Sequence, residues 1–440
     1  MTDLAEIIDD ATPQGIAAEI ARQITAGTLE PGERLPTVRA LAAALGVSPA
    51  TVSHAWQALS GAGMIVSRGR AGSFVRQQSS NWLPRSMQQL AGYGGPSAID
   101  LSRGTPDPAL LPSLDATIAR MPQHADTDSY QLPPVIPELD ALLRESWPVA
   151  PEALTVVDGA LDALSRLLDE IARFGDRIAV ESPGFPPLFD LLDVHGIERV
   201  PLELDENGVL PASLSAALSR GLSAIVIQPR AHNPTGASLT AERAEALAAV
   251  IRAHRNGARL VVIEDDHSGL ISIAADVTLA TWLPGQVVHV RSFSKSHGPD
   301  LRIAAVGGPR PIVERLIARR ILGPGWTSRL LQTILYDLLT DPDSIAQVAR
   351  ARDLYAERQR ALREALAEHG VRIAPADGIN AWLPVTDERD AVVKLAAAGI
   401  RVAAGAAFHL GGGPAAVRLS VGGAALDASH IAALADVAER

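Results

Sequence analysis

The sequence predicts an α/β protein in which a small helix-turn-helix module precedes a large, mostly parallel sheet and a smaller α+β lobe. Three observations support this. Residues 11–76 contain three short amphipathic helix patterns and then two short apolar strands. From about residue 99, apolar strands alternate with amphipathic helices, the pattern of a parallel sheet with helices on both faces. A final segment, about 340–440, has strands of its own, and 440 residues are enough for two or three domains.

The composition is that of a globular protein, with 47% apolar and 20% charged residues. No apolar run is long enough to cross a bilayer, and the acidic N-terminus lacks a basic, apolar signal pattern, so we expect a cytoplasmic protein without a membrane partner. The absence of cysteine excludes disulfides, thiolate metal sites and a cysteine nucleophile. We predict no metal site.

Charge is unevenly distributed along the chain. Residues 11–76 hold six arginines and three acidic residues, a balance of +3, whereas the whole chain carries −11. A small basic module on an acidic body is typical of a protein whose one end meets a polyanion.

The first two helices of this module have clear ends. Residues 12–26 begin with Thr12 as a cap and Pro13 in the first turn, and Gly27 is placed to end the helix. The second helix follows Pro36 and stops at Gly46. Their inward stripes are Ile16, Ile20 and Ile24, then Val38, Leu41 and Leu45.

The third helix starts at Ser48 and Pro49, so that helix, short glycine turn and helix form a helix-turn-helix. Its outward side chains are small or hydrogen-bonding, as contact with base edges in a major groove requires. Two strands, 64–66 and 73–75, follow, and the wing that joins them carries two arginines. The predicted DNA contacts are Arg34, Arg39, Ser48, Thr51, Ser53, His54, Arg68 and Arg70.

The alternative interpretation of this module is a small helical subdomain used for dimer packing. Helix-turn-helix together with a basic wing favours DNA binding. The run from Glu33 to Ala42, followed by Leu45-Gly46-Val47-Ser48, resembles the GntR-type winged-helix module over about residues 11–76. The resemblance implies a double-stranded DNA operator as partner and a DNA-binding domain over residues 1–76.

Residues 77–98 lack a sustained apolar period and predict a flexible linker to a body at 99–440. The predicted strands of the large sheet are 154–157, 177–180, 224–228, 260–263 and 287–290, with helices at 161–174, 241–255 and 312–322. The smaller lobe is predicted to hold strands near 371–373, 381–384 and 417–420.

Lysine is rare in this chain: Lys295 and Lys394 are its only two lysines, against 37 arginines. Lys295 lies just after the strand at 287–290, where active-site groups of parallel sheets gather. A lysine amine can lose its proton and form a Schiff base with a carbonyl, which a guanidinium cannot. The alternative is an ordinary solvated lysine, and this is the interpretation we give Lys394.

Other chemically suggestive residues follow neighbouring strands. Asn233, in Asn-Pro-Thr-Gly, follows the strand at 224–228, Asp265 follows the next strand, and Arg302 lies shortly after Lys295. Together these are the parts needed to hold pyridoxal 5'-phosphate: an amine for its aldehyde, a carboxylate for its ring nitrogen, an amide for its hydroxyl and a cation for its phosphate.

These motifs resemble the fold-type-I aminotransferases from about residue 99 to 440. The resemblance implies Lys295 as the Schiff-base and catalytic lysine, Asp265 at the pyridine nitrogen, and Asn233 at the ring hydroxyl. It implies a phosphate site of Gly159, Ala160, Ser292, Ser294 and Arg302, ring stacking by Phe185, a substrate carboxylate on Arg418, and Tyr130 reaching the phosphate of a second subunit.

Two features depart from that family. His267 stands where a tyrosine usually follows the pyridine-binding aspartate, and its imidazole can still bond the ring hydroxyl. Residues 131–137 lack the usual glycine, and the helix after them is short. The second departure concerns the substrate entrance and therefore turnover.

A winged helix joined to an aminotransferase-like body resembles the MocR branch of the GntR regulators. The resemblance implies a homodimeric transcription factor that binds pyridoxal 5'-phosphate and senses this cofactor or an amino compound. One alternative is an active aminotransferase with an appended DNA-binding arm. Another is a scaffold regulator that has lost the cofactor.

Overall fold

A computed structural model describes residues 4–61, 64–67, 72–76, 84, 99–120, 129–423 and 426–439. The predicted segment 77–98, apart from Pro84, and the wing arginines Arg68 and Arg70 lie outside these residues.

The N-terminal module is a helical unit closed by a hairpin. It contains α1 (Leu4–Ile7), α2 (Pro13–Thr25), α3 (Val38–Leu45), α4 (Pro49–Gly61) and the antiparallel strands β1 (Ile65–Ser67) and β2 (Ser73–Val75).

Side-chain caps set the starts of these helices. Thr12 accepts a hydrogen bond from the backbone of Gly15, and Ser48 accepts one from Thr51 at 3.1 Å, as the sequence predicts. Gly46 ends α3 with a φ of 66°, a conformation that favours glycine. The apolar stripes meet in one core that includes Ile16, Ile20, Leu41, Val52 and Leu59.

The body begins with β3 (Ile99–Asp100) and continues through alternating helices and strands. Its helices in chain order are α5 (Asp115–Arg120), α6 (Pro137–Glu145), α7 (Ala160–Ile171), α8 (Pro186–Val194), α9 (Pro211–Leu218), α10 (Ala241–Ala253), α11 (Arg310–Ile321), α12 (Arg329–Thr340), α13 (Pro342–Glu368), α14 (Glu388–Ala397) and α15 (Ala428–Val437). Its further strands are β4 (Ala153–Val157), β5 (Arg177–Glu181), β6 (Glu198–Leu202), β7 (Leu204–Asp205), β8 (Gly208–Val209), β9 (Ala224–Ile227), β10 (Val261–Asp266), β11 (Val287–Ser292), β12 (Ala304–Gly308), β13 (Asn380–Pro384), β14 (Ile400–Arg401), β15 (Ala403–Ala404) and β16 (Ala416–Ser420).

The large sheet has seven strands in the order β4-β12-β11-β10-β9-β5-β6. Strand β12 runs antiparallel to both of its neighbours, and the other pairings are parallel, which confirms the predicted mostly parallel α/β sheet. Strands β6 and β12 were not predicted. Pro201 interrupts the first, which is an edge strand, and the second is the weakly apolar run Ala-Ala-Val-Gly-Gly.

Alternation along the central strands gives the sheet two different faces. Ile263 and Val290 belong to the core beneath α7 and α8, whereas Val262 and Val287 belong to the core on the opposite face. Polar residues at the strand ends therefore also divide between two faces.

The smaller lobe packs its own core around the antiparallel sheet β13-β16-β15. The predicted strand at 371–373 is wrong. Val371 is buried, and its backbone N–H donates to the carbonyl of Leu366 near the end of α13. This residue therefore satisfies a carbonyl at the helix C-terminus and does not form a strand. Strand β14 pairs with β3, so the lobe also includes the first residues of the body.

Within the described ranges, no helix has both the length and the apolar character that crossing a membrane requires.

Candidate functional site

Lys295 lies three residues beyond the end of β11, in the cleft between the sheet and the smaller lobe. Its Nζ donates a hydrogen bond to the carbonyl of Gly104 at 2.5 Å. Burial, together with the nearby charge of Arg418, lowers the pKa of Lys295 to about 8. An amine with this pKa has a larger neutral fraction near pH 7 than an ordinary lysine, and the neutral form is the one that attacks an aldehyde.

Asp265, near the end of the neighbouring strand β10, has a carboxylate oxygen available for a donor. One oxygen, Oδ2, accepts a hydrogen bond from the side chain of Gln228 at 2.9 Å, while no described residue bonds Oδ1. Burial raises the pKa of Asp265 to about 6. A buried oxygen without a partner is costly, and a protonated ring nitrogen is a donor that would satisfy it.

Asn233 and His267 supply further polar groups to this cleft. The Asn233 amide oxygen accepts from Arg418 at 3.2 Å, so the amide nitrogen is its remaining donor. His267 contacts the Ser268 hydroxyl at 3.1 Å through Nε2, and its Nδ1 is unpartnered among the described residues. Burial, and then the charge of Lys295, lowers the pKa of His267 to about 3, so the imidazole is neutral at physiological pH.

Gly159 and Ala160 form the N-terminus of α7, whose backbone N–H groups favour an anion. Gly159 has a φ of 101°, and an added Cβ would lie 2.6 Å from the guanidinium of Arg302. The same guanidinium donates to the carbonyl of Asp158 at 3.2 Å. Glycine is therefore required where the cation meets the helix.

Two serine side chains complete this candidate phosphate site. Ser292 is buried at the end of β11, and its hydroxyl accepts the backbone N–H of Ser294 at 3.3 Å. With α7 and Arg302, they provide the hydroxyls, amides and positive charge that hold a phosphate in proteins.

Phe185 stands at the start of α8 and is packed against the main core. It lines a small cavity together with Asp265 and Gln228. The structure thus brings the predicted stacking ring and the predicted ring-nitrogen partner to one cavity.

Arg418 links the smaller lobe to the large sheet. It lies on β16, and its buried guanidinium donates to the carbonyl of Ser102 and to Asn233, 5.1 Å from the Phe408 ring centre. Its Nε has no partner among the described residues. Burial lowers the pKa of Arg418 to about 10, so the group stays charged at pH 7.

Tyr130 does not join this cluster within one chain. Its side chain is 91% exposed, and its ring meets Trp326 edge-on at 6.1 Å between centroids. Its contact with a second subunit remains a prediction.

The sequence analysis did not identify several polar residues around the cleft. Gln228 bonds Asp265 with its amide nitrogen and the backbone of Asn233 with its oxygen. His232 lies 3.3 Å from the Glu181 carboxylate. Gln228 just follows β9, at the strand end where the other site residues were found, and that position was the available signal.

The N-terminal module presents a second candidate site. Arg34 and Arg39 are exposed near the start of α3, as phosphate contacts require. The Ser48 hydroxyl caps α4 and lies 2.9 Å from the Thr51 hydroxyl, and Ser53 is partly buried.

His54 differs from these residues in its surroundings. It is exposed but lines a cavity of about 530 Å³ that also touches Phe174 and Asp193 of the body. In this arrangement His54 faces the body, and its contact with DNA remains a prediction.

Two family models match this chain. Residues 96–437 match "Aminotransferase class I and II", and residues 12–75 match "Bacterial regulatory proteins, gntR family". The chain belongs to the MocR-type GntR regulators. The two matches confirm the predicted winged helix and aminotransferase-like fold, and the site residues fit the pyridoxal phosphate that this fold holds.

Curated relatives match this chain over most of its length. The "Vitamin B6 salvage pathway transcriptional repressor PtsJ" of Salmonella typhimurium is 38% identical over 407 residues, covering 91% of this chain and 92% of that protein. The "HTH-type pyridoxine biosynthesis transcriptional regulator PdxR" of Corynebacterium glutamicum is 30% identical, covering 89% of this chain and 87% of that protein.

Solved structures show the same fold. The α-aminoadipate aminotransferase LysN of Thermus thermophilus has a TM-score of 0.69 at 22% identity, covering 86% of this chain and 94% of that one. The kynurenine aminotransferase of Pyrococcus horikoshii also has a TM-score of 0.69, at 21% identity, covering 82% of this chain and 94% of that one.

Proposed function

We propose that this MocR-type regulator is a cytoplasmic transcription factor in which pyridoxal 5'-phosphate, bound at Lys295, changes the affinity of residues 12–76 for an operator. The observation that carries the proposal is that Lys295, an amine with a lowered pKa, and Asp265, which has an unpartnered carboxylate oxygen, lie at neighbouring strand ends. Two neighbouring strand ends thus present the complementary groups that this aldehyde cofactor needs.

Each residue in the cleft would have a separate task. Lys295 would bind the aldehyde, Asp265 would hold the ring nitrogen, and Asn233 with His267 would face the ring hydroxyl. The phosphate would lie at the N-terminus of α7, against Arg302 and the two serines, with Phe185 against the ring. When bound, the cofactor supplies an electron-withdrawing ring; the protein supplies position, charge and exclusion of water.

Pyridoxal 5'-phosphate itself, rather than an amino compound, is the effector that we favour. Arg418 already donates to Ser102 and to Asn233, which leaves only its Nε unpartnered. A substrate carboxylate would have to compete with both contacts for this guanidinium. The two relatives above are named for vitamin B6 salvage and pyridoxine biosynthesis, which also supports the cofactor as the signal.

A homodimer would be consistent with both the DNA-binding module and the aminotransferase-like body. Two winged helices match an operator with paired half-sites, and Tyr130 is exposed where a second subunit would meet it. A ligand shifts DNA affinity only when it prefers one arrangement of the dimer, so occupancy and DNA binding must be measured together.

The test is a paired titration of the apo protein with pyridoxal 5'-phosphate. Visible absorbance would follow occupancy, and fluorescence anisotropy would follow binding to DNA from the protein's own upstream region. We expect both signals to change over the same concentration range. An unchanged DNA affinity at full occupancy would contradict sensing, and failure to bind the cofactor would contradict the site itself.

An active aminotransferase is the second candidate function. It is supported by the position of Arg418 in the same cleft as Lys295, close enough for its charge to lower the pKa of the lysine. Incubating the holoprotein with amino acids and 2-oxo acids distinguishes the two functions. Sustained exchange of amino groups would favour the enzyme, and its absence alongside a DNA response would favour the regulator.

A further inference from the structure

A further cavity lies on the opposite face of the large sheet from the cofactor cleft. Side chains alternate between the two faces along β10 and β11, so these strands separate the cavity from the cleft. Asp265 and Ser292 belong to the cofactor face, whereas Asp266 and Arg291, which are partners in the β10–β11 register, belong to the opposite face. The cavity has a volume of about 390 Å³, in the range of small-molecule sites. We call it the rear pocket; its wall includes Leu143, Phe293, Leu338, Val348, Arg230 and Arg291.

Most of this wall is apolar, and one helix supplies a continuous part of it. Ile345, Val348, Ala349 and Arg352 recur at helical spacing along α13 and all line the rear pocket. Ile345 is 51% exposed, so the opening is also apolar. An exposed aliphatic rim around a cavity indicates a ligand with an apolar body.

Two buried arginines give the rear pocket a positive end. Arg230 is held by the Asp266 carboxylate through two hydrogen bonds, at 2.7 and 3.0 Å. Arg291 donates to Ser146, lies 3.3 Å from Asp276, and stacks 4.7 Å above the Trp147 ring. Its Nε is buried and has no partner among the residues that the structure describes.

The charges favour an anionic ligand over a metal ion. Asp266, Asp276 and His289 are close enough together to hold a cation, but the arginines already pair with both carboxylates. The ionisable groups that line the rear pocket are Arg230, Arg291, Arg352, Asp276 and His297. Burial lowers the pKa of His297 to about 4, so this lining together with Asp266, the partner of Arg230, carries three positive charges and two negative charges at pH 7.

We infer that the rear pocket binds an apolar monocarboxylate, with the carboxylate at Arg291 and the hydrocarbon against the α13 stripe. The carboxylate would accept hydrogen bonds from the Arg291 guanidinium, and the hydrocarbon would cover the exposed side chains of Leu270 and Ile345, which line the opening. Phe293 and His297 line this pocket and lie two residues on either side of Lys295, so the ligand would contact the segment that carries the cofactor lysine.

Octanoate is the probe, and octan-1-ol is its matched control without the charge. Isothermal titration of the full-length apo protein should give binding of octanoate at least about tenfold tighter than that of octanol. This measurement does not depend on DNA or on the cofactor, so its outcome is separate from that of the proposed function. The inference is overturned when octanoate does not bind, as expected if a second copy of the chain covers the pocket, or when both probes bind equally.

Two variants locate the site. Ala349→Phe would fill the cavity and weaken octanoate binding at least about tenfold, whereas Arg350→Gln, on the same helix but not lining the pocket, would leave it within about twofold. Arg291→Lys keeps a charge but removes the planar fork that binds a carboxylate through two hydrogen bonds, and it should reduce the preference for octanoate over octanol. Unchanged binding by Ala349→Phe would contradict the assignment even when Arg291→Lys fails to fold.

Discussion

Lys295 and Lys394 show how surroundings decide the chemistry of one residue type. Lys394 is exposed on α14 and forms an ion pair with Asp390 at 2.9 Å, whereas Lys295 is turned into a cleft beside Arg418. Because the chain has no other lysine, each serves as the control for the other.

Replacing Lys295 with alanine should abolish covalent attachment of pyridoxal 5'-phosphate. After borohydride treatment, mass spectrometry of the wild type should find the cofactor on the peptide containing Lys295, and the variant should carry none. Lys394→Ala should label like the wild type, because an exposed, ion-paired amine is mostly protonated at neutral pH. Equal labelling of Lys295→Ala and wild type would contradict the assignment.

The lowered pKa of Lys295 predicts the pH dependence of cofactor attachment. Only the neutral amine attacks, so the rate should rise with pH and level off above about 8, the pKa of this group. Stopped-flow absorbance on the apo protein measures this rate, with N-acetyl-lysine as the reference. The free amine should level off near pH ~10.4; a protein profile that levels off there too would contradict the lowered pKa.

Sequence could identify the residues at the site but not their partners. Lys295, Asp265 and Asn233 follow strands, and strand ends of a parallel sheet meet at one edge. Gln228 bonds Asp265, Gly104 bonds Lys295 and Ser102 bonds Arg418, through contacts that depend on side-chain geometry and on the position of the smaller lobe. No local pattern encodes contacts between residues so far apart in the chain.

At the scale of the element, β10 ends in two carboxylates with opposite surroundings. Asp265 has an unpartnered oxygen and a raised pKa. Asp266 is buried, which alone would raise its pKa, but the His289 imidazole at 3.7 Å and the two hydrogen bonds from Arg230 keep that pKa far below its usual range. Neighbouring positions of one strand thus have different tasks.

Substitution of each aspartate by asparagine should separate these tasks. Asp265→Asn removes an uncompensated buried charge, so at pH 7 the apo protein should be as stable as the wild type or more stable, while its cofactor spectrum changes. Asp266→Asn leaves the buried Arg230 without its carboxylate partner and should cost about 3–5 kcal/mol. Urea unfolding of the apo proteins measures both, and similar losses of stability would contradict the distinction.

The N-terminal helices allow a test of DNA contact without a known operator. Arg39 is exposed on α3, so Arg39→Ala should remove one phosphate contact and reduce the slope of log K against log salt by about 0.9. The control is Arg22→Ala, which removes an arginine that pairs with Glu19 on α2. Anisotropy with a nonspecific duplex at several salt concentrations measures the slope. Equal slopes for Arg39→Ala and wild type would place Arg39 away from the DNA.

Helices and buried strands were predictable because caps and periodicity are local. Thr12, Ser48 and Gly46 set helix ends as expected. The five predicted strands of the large sheet begin and end within three residues of their predicted bounds. Residues 371–373 looked like a strand because Val371 and Ile373 are β-branched, but tertiary burial of Val371 beside α13 decided otherwise.

At the scale of the whole molecule, the DNA-binding module and the body share a contact. Phe174 follows α7 in the body, yet it packs against the hydrophobic core of the N-terminal module. The two parts are therefore expected to unfold as coupled units rather than independently.

Phe174→Ala should weaken that coupling. Calorimetry should show the N-terminal module melting in a separate transition at lower temperature, because about 1–3 kcal/mol of shared burial is lost. Val194→Ala is the control, since this nearby apolar side chain is 78% exposed. A single, unshifted transition in Phe174→Ala would show that the contact does not couple the two parts.

The pairing of β3 with β14 has a mechanical consequence. The chain that leaves the DNA-binding module re-enters the described structure at Ile99, and this strand is hydrogen-bonded into the smaller lobe rather than into the large sheet. Any rotation of that lobe about the cleft therefore also displaces Ile99, where the chain joins the body. The same lobe carries Arg418, so closure around a ligand and movement of this attachment point would be one motion.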